Sequence, residues 1–284
     1  MVLSGTELSK KIKEQLKKEV KNCILTYKHI PHLVVILVGD DPASQSYVKG
    51  KSKACDEVGI MNTTLRLHKD ISEVELLRKI QEYNLRDDVD GILIQLPLPQ
   101  HIDEHKVMNF IDPKKDVDGF HPFNIDGLYT GKTCIKPCTP TGIIKMLDYA
   151  NVPIKGANAV VIGRSNIVGL PVAKMLLDRN ATVTICHSKT QGLSEITKNA
   201  DILIVAIGKP KFVTDDMVRE GAVVIDVGVN RVDGKLCGDV DFDNIKDKAT
   251  VITPVPGGVG PMTITCLLEN TLKCFKNKFN DDNK

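Results

Sequence analysis

The chain has 284 residues, 42% of them hydrophobic, and a formal net charge of +2. That length suits one large domain or two of ordinary size, and that apolar fraction builds a core rather than a disordered chain. The near balance of charge argues against an electrostatic nucleic-acid binder, and no apolar run approaches the roughly 18 residues that a membrane helix needs.

The first twenty residues, "MVLSGTELSKKIKEQLKKEV", lack the apolar stretch of a signal peptide, and no arginine precedes Arg66. They resemble neither a secretory nor a mitochondrial leader, so a cytoplasmic protein is expected. Lys10, Lys11, Lys13, Lys17, Lys18 and Lys21 alternate with Glu7, Glu14 and Glu19. They read as the wet face of an amphipathic helix over 6–27.

Strands and helices then alternate. "HLVVILVG" (32–39), "TTLRLH" (63–68) and "DGILIQLPL" (90–98) read as strands, with helices over 43–58 and 73–84 between them. The stretch 112–142, rich in Gly, Pro, Asp and Thr, reads as a long loop, and loops of that length are functional or linkers. A helix at 140–150 restarts the rhythm. Strands follow at 158–163, 182–187, 201–207 and 222–228, with helices at 169–180 and 192–198. "VITPVPGGVGPMT" (251–263) reads as a last strand and a Gly/Pro loop, and a helix over about 262–278 leads into a frayed tail, "NKFNDDNK". This order predicts an α/β protein of two α/β domains with mainly parallel sheets and a cleft between them.

Cysteine usage points to lone thiols. Only Cys134 and Cys138 lie near each other, and no second Cys/His pair follows at zinc spacing. Buried or pocket-lining thiols and no metal are expected.

"VVIGRSNIVGLPVAKMLL" is a strand, a tight turn and a helix, with Gly163 closing the strand and Gly169 opening the helix. A helix N-terminus there can receive a diphosphate, although G-x5-G is not the usual dinucleotide fingerprint. An NAD site places Asp or Glu about 20 residues further on. His187 and Ser188 stand there instead. They do not repel a 2′-phosphate, and Arg164 and Ser165 add charge and hydrogen bonds, so NADP is favoured over NAD. Taken alone, Arg164 also fits a surface arginine.

In "PASQSYVKGKSKAC" (42–55), Asp41 fits an N-cap and Pro42 the first helical position. Ser44, Tyr47 and Lys51 then share one face, while Lys49 and Lys53 point away from it. Spacing alone leaves Lys51 open between a functional amine and a snorkelling lysine. Gln95, near the end of a strand, and Asp118, in "KDVDGF", fall where ligands of open parallel sheets bind. A hydrogen-bonded edge residue and a turn former are the plain alternatives for these two.

The stretches "PASQSYVKGKSKACDEVGI", "GILIQLPLP", "KDVDGF", "KPCTPTG", "VIGRSNIVGLP" and "TPVPGGVGPMT" occur in this order. In that order they resemble the bifunctional methylenetetrahydrofolate dehydrogenase/methenyltetrahydrofolate cyclohydrolase family over residues 1–278. The resemblance implies a cytoplasmic homodimer that uses NADP and tetrahydrofolate derivatives in one-carbon metabolism, feeding purine biosynthesis. It implies a folate-binding catalytic domain over 1–139, a Rossmann-like NADP-binding domain over 140–263, and a helix over 264–284 that packs back on the first domain.

By the same resemblance Lys51 is the catalytic lysine and Gln95 orients it. Tyr47 stacks on the aminobenzoate ring beside Ser44, and Asp118 grips the pterin. Leu96, Pro97, Pro256, Gly257 and Gly258 line the substrate pocket. Cys138, Thr139, Gly163, Arg164, Ser165, Val168, His187, Ser188, Val229 and Thr263 are cofactor contacts. A dehydrogenase-only family member is the nearer alternative, and some such members lack the lysine. A dehydrogenase for another small substrate and a non-catalytic NADP sensor are the more distant ones.

Overall fold

The computed structural model describes residues 1–281, and the chain forms two compact units. Lys11–Cys138 and the described residues from Ile264 to 281 make the first; Met1–Lys10 and Thr139–Thr263 make the second. Residues 1–10, expected in the first domain, group with the second unit. Backbone pairing is the cause: Leu3 N–H donates to Ile252 O at 2.8 Å and Ile252 N–H to Met1 O at 3.0 Å, which sets Val2 beside Ile252 as an extra edge of the second sheet. Of the expected frayed tail, residues 282–284 lie outside the described residues.

The first unit runs through α1 (Gly5–Tyr27, from Lys11), β1 (His32–Val38), α2 (Pro42–Val58), β2 (Met61–Leu67), α3 (Glu73–Asn84), β3 (Gly91–Ile94), α4 (Glu104–Phe110) and α5 (Pro122–Thr130). Its sheet is parallel, in the order β2-β1-β3. All seven residues of β1 are buried, because helices cover both faces. Leu33, Val35 and Leu37 pack with Leu16, Val20, Val48 and Phe275, while Val34, Ile36 and Val38 pack with Leu76, Ile80 and Val107. Alternate residues of one strand thus serve two cores.

Two expectations are corrected here. The strand predicted over 90–98 stops at Ile94; Gln95 N–H still reaches Ile36 O at 2.9 Å, but Pro97 and Pro99 have no N–H to continue the ladder. The loop predicted over 112–142 contains α5, which starts with Pro122 and ends at Gly131 in the left-handed region (φ +76°).

The second unit holds α6 (Cys138–Tyr149, from Thr139), β4 (Asn158–Ile162), α7 (Gly169–Asp178), β5 (Thr182–Cys186), α8 (Leu193–Thr197), β6 (Ile202–Val205), β7 (Val223–Asp226), β8 (Asn230–Val232), β9 (Lys235–Cys237), α9 (Phe242–Ile245), β10 (Val251–Ile252) and the start of α10 (Val259–Asp281). The strand order β10-β7-β6-β4-β5 is parallel throughout. The chain leaves β4 for β5 on one side and then returns to β6 on the other, so the order reverses between β4 and β6. Ligands of open α/β sheets bind outside the carboxyl ends of the strands at such a reversal. β8 and β9 form a hairpin through Asp233 and Gly234, both with positive φ. The helix α10 starts at Val259, inside the stretch expected as a loop; Pro261 is tolerated because it falls in the first turn.

Candidate active site

The helix α2 starts as its sequence dictates. Asp41 accepts from Ser44 N–H at 2.7 Å and Pro42 takes the first position. Of the three lysines in this stretch, Lys49 and Lys53 are exposed and Lys51 is half-buried. Ser44, two turns away on the same face, is buried, and Tyr47 leaves 42% of its surface exposed. Lys51 Nζ donates to Gln95 Oε1 at 3.0 Å. Gln95 Nε2 donates to Leu96 O at 2.7 Å, so the amide is held with its oxygen toward the lysine. Leu96 is half-buried and Pro97 exposed.

Asp118 sits close enough for its charge to act on Lys51. Burial pushes the Lys51 amine below its ordinary 10.5, and the Asp118 charge opposes this. Burial pushes Asp118 up to about 6; Lys51 pulls it down and Asp116 pushes it up. The result is an amine held below its ordinary value beside a carboxyl raised to about 6, a pairing suited to proton transfer.

The loop presenting Asp118 is fixed by residues that carry no signature of their own. Asp116 accepts from Gly119 N–H (3.0 Å), His121 N–H (2.8 Å) and Asn124 Nδ2 (2.9 Å). Gly119 has φ +74°, and a Cβ there would lie 2.7 Å from Lys136 C and 2.8 Å from Ile135 O. Asn270 Nδ2 donates to Val117 O at 2.8 Å and Lys136 O at 2.9 Å. Cys138, expected among the cofactor contacts, also packs in this group. It is 2% exposed, its thiol donates to Val117 O at 3.3 Å, and burial pushes that thiol well above its ordinary value. A thiol so enclosed serves as a packed donor.

In the second unit β4 is followed by Gly163, with φ +125°. A Cβ there would lie 2.3 Å from Ala206 O, and one on Gly169 would lie 2.2 Å from Gly163 O. Both glycines are required by close backbone approach. Ser165 Oγ accepts from Val168 N–H at 3.2 Å and Gly169 N–H at 3.3 Å, tying the turn to the start of α7. Arg164 and Ser188 are exposed and His187 half-buried. His187 is steadied by its N–H donating to Thr190 Oγ1 at 2.9 Å. Thr139 Oγ1 and Thr263 Oγ1 are hydrogen-bonded at 2.9 Å, and Val229 is exposed. Pro256, Gly257 and Gly258 form a loop tied to the N-terminus, where Thr6 N–H donates to Gly257 O at 3.1 Å. This unit fits a 2′-phosphorylated dinucleotide: β5 is followed by His187 and Ser188 rather than a carboxylate, and Arg164 stands exposed in the turn after β4.

All eight cysteines are free, and among the described residues no group of three or more His, Cys, Asp or Glu side chains could hold a metal ion. No described helix is long and apolar enough to cross a membrane.

A protein with an amine–amide–carboxyl group in one α/β unit and a Rossmann-like sheet in the other belongs to the class of two-domain dinucleotide-dependent enzymes. Family models narrow this. Residues 3–118 match the catalytic domain of tetrahydrofolate dehydrogenase/cyclohydrolase, and residues 137–279 match its NAD(P)-binding domain. The bifunctional protein FolD of Bacillus anthracis is 55% identical over 277 residues, covering 97% of this chain and 96% of that one. The crystal structure of the FolD methylenetetrahydrofolate dehydrogenase/cyclohydrolase from Campylobacter jejuni superposes with a TM-score of 0.96 at 50% identity, covering 98% of this chain and 99% of that one. The Trypanosoma brucei enzyme, complexed with NADP and an inhibitor, gives a TM-score of 0.95 at 38% identity and 98% coverage of both chains. The chain belongs to the tetrahydrofolate dehydrogenase/cyclohydrolase family.

Proposed function

We propose that the protein oxidises 5,10-methylenetetrahydrofolate to the 5,10-methenyl form with NADP, and hydrolyses that form to 10-formyltetrahydrofolate. The observation that carries the reading is the Lys51–Gln95 hydrogen bond of 3.0 Å, in a unit matching the family's catalytic domain. Hydrolysis requires the attacking water to lose a proton and a ring nitrogen to gain one before the carbon–nitrogen bond breaks. Lys51, with its affinity for protons lowered by burial, takes and returns that proton, and Gln95 holds its Nζ in place. Asp118 accepts from the pterin amino group and ring N–H. The exposed ring of Tyr47 stacks on the aminobenzoate, with Ser44, Leu96 and Pro97 beside it.

Oxidation needs orientation more than a base, and positioning alone contributes about 7–11 kcal/mol. NADP, when bound, accepts the hydride from the methylene carbon. Arg164, Ser165, His187 and Ser188 hold its phosphorylated ribose. Gly163 and Val168 shape the turn for its diphosphate, and Thr139, Thr263 and Val229 complete the contacts. Family membership also supports a cytoplasmic homodimer that supplies one-carbon units to purine biosynthesis; sedimentation tests the dimer.

The test is to mix the protein with 5,10-methylenetetrahydrofolate and NADP and follow NADPH and methenyltetrahydrofolate together by absorbance. NADPH rising while the methenyl form decays faster than in buffer is expected. Methenyl accumulating at its uncatalysed decay rate would leave only a dehydrogenase.

A further inference from the structure

Two buried carboxylates in the second unit carry no role in the chemistry above. Asp239 is 0% exposed and Asp226 3%. Asp239 Oδ2 accepts from Ile207 N–H (2.8 Å) and Gly208 N–H (2.9 Å), and its Oδ1 accepts from Lys209 N–H (2.8 Å) and Asn230 Nδ2 (2.9 Å). Three consecutive amides of the loop after β6 thus converge on one side chain. Asp239 is itself fixed from below. Asp226, the last residue of β7, accepts from Asp239 N–H at 3.0 Å, Val240 N–H at 2.9 Å and Gly228 N–H at 3.0 Å. The packing leaves no room: a Cβ on Gly228 would lie 2.1 Å from Asp239 Cγ, and one on Gly238 would lie 1.8 Å from Asp226 Oδ2.

The location gives this nest its meaning. The loop it holds starts at the carboxyl end of β6, directly across the sheet's reversal from Gly163, whose missing Cβ would strike Ala206 O. That reversal is where a dinucleotide enters an open α/β sheet. A loop with three adjacent amides turned onto one carboxylate has a single backbone path. Without the carboxylate those amides lose their partners and the path is no longer specified.

We propose that Asp239 is a positioning residue for the cofactor: its carboxylate, held by Asp226, sets the 207–209 loop as one wall of the dinucleotide crevice. The proposal rests on the NADP reading above. Asn230 reinforces it as the fourth donor and links the start of β8 to the same carboxylate.

A bifunctional enzyme supplies its own control, because hydrolysis of methenyltetrahydrofolate consumes no NADP. NADPH binding by fluorescence titration, and cofactor-free hydrolysis, are to be measured for the wild type, Asp239→Asn and Asn230→Ala. Asp239→Asn replaces an oxygen with an N–H₂ group facing donors. It is expected to raise the NADPH Kd at least about tenfold and to leave hydrolysis within about twofold. Asn230→Ala removes one of the four donors and is expected to give a smaller rise of the same kind. An unchanged Kd in Asp239→Asn, or equal losses of binding and hydrolysis, overturns the proposal. If Asp239→Asn yields no soluble protein, Asn230→Ala decides: a raised Kd with hydrolysis retained supports the proposal, and an unchanged Kd overturns it. A wild type that neither binds NADPH nor hydrolyses the methenyl form would instead overturn the function reading.

Discussion

Lys51 and Gln95 are joined by a single hydrogen bond of 3.0 Å, and the glutamine amide is itself locked by a 2.7 Å bond to Leu96 O. The lysine therefore has one preferred position for its amine, set by a neutral partner that leaves its proton free to move. Replacing Gln95 with leucine keeps the volume and removes the anchor. Hydrolysis is expected to fall about 10- to 100-fold, part of the 100- to 10,000-fold that a placed acid–base group contributes. Steady-state rates on methenyltetrahydrofolate check this, with NADPH binding unchanged.

The pH profile follows from the opposed effects on Lys51. Burial lowers its pKa from 10.5, so the rising basic limb of the hydrolysis kcat is expected below that value. The Asp118 charge favours the protonated amine. Removing it in Asp118→Asn lowers the lysine further and moves the limb to lower pH, while weakening folate binding. A limb that moves upward would contradict the coupling.

Gly163→Ala forces a Cβ to 2.3 Å from Ala206 O on a backbone with φ +125°. The turn after β4 must shift. NADPH affinity is expected to fall at least about tenfold with cofactor-free hydrolysis retained, and titration of both activities in one preparation measures the split.

Asn270→Leu leaves Lys136 O without the donor it has and removes the amide that clasps Val117 O, one residue before Asp118. An orphaned carbonyl costs about 1–3 kcal/mol, so the melting temperature is expected to drop by several degrees. Folate affinity is expected to fall with it. Calorimetry and folate titration check the pair.

Burial pushes Asp226 up to about 7 from 3.8. The folded chain therefore holds this proton more tightly than the unfolded one. Its contribution to stability is full below about pH 4 and is lost as pH rises to about 7. Thermal melts across that window are expected to show the decline, and Asp226→Asn to flatten it.

Much of the architecture was legible because parallel strands buried on both faces read as apolar runs; β1 and β4 are of that kind. The α2 start was legible from Asp41 and Pro42. The helix α5 was not, because Gly127 and neighbouring polar residues mask its period. That glycine is demanded by Cys134, whose Cβ stands 2.5 Å from where a glycine Cβ would be. The β8–β9 hairpin is announced only by Asp233–Gly234, since three-residue strands carry too little alternation to register. At the site, Lys51 was legible by helical spacing but separable from a snorkelling lysine only through its bond to Gln95, a contact 44 residues distant in sequence. Asp116, Asn124, Asn270 and Asp239 were illegible for a common reason. They act on backbone amides and carbonyls, and no residue pattern records which backbone groups the fold brings to them.

The most direct measurement is hydrolysis of methenyltetrahydrofolate by Lys51→Met, alongside its oxidation of 5,10-methylenetetrahydrofolate with NADP. Loss of hydrolysis by at least about 100-fold, with NADPH formation still measurable, is the expected result. A folded Lys51→Met protein that hydrolyses the methenyl form at the wild-type rate would remove the lysine from proton transfer and contradict the reading of the site.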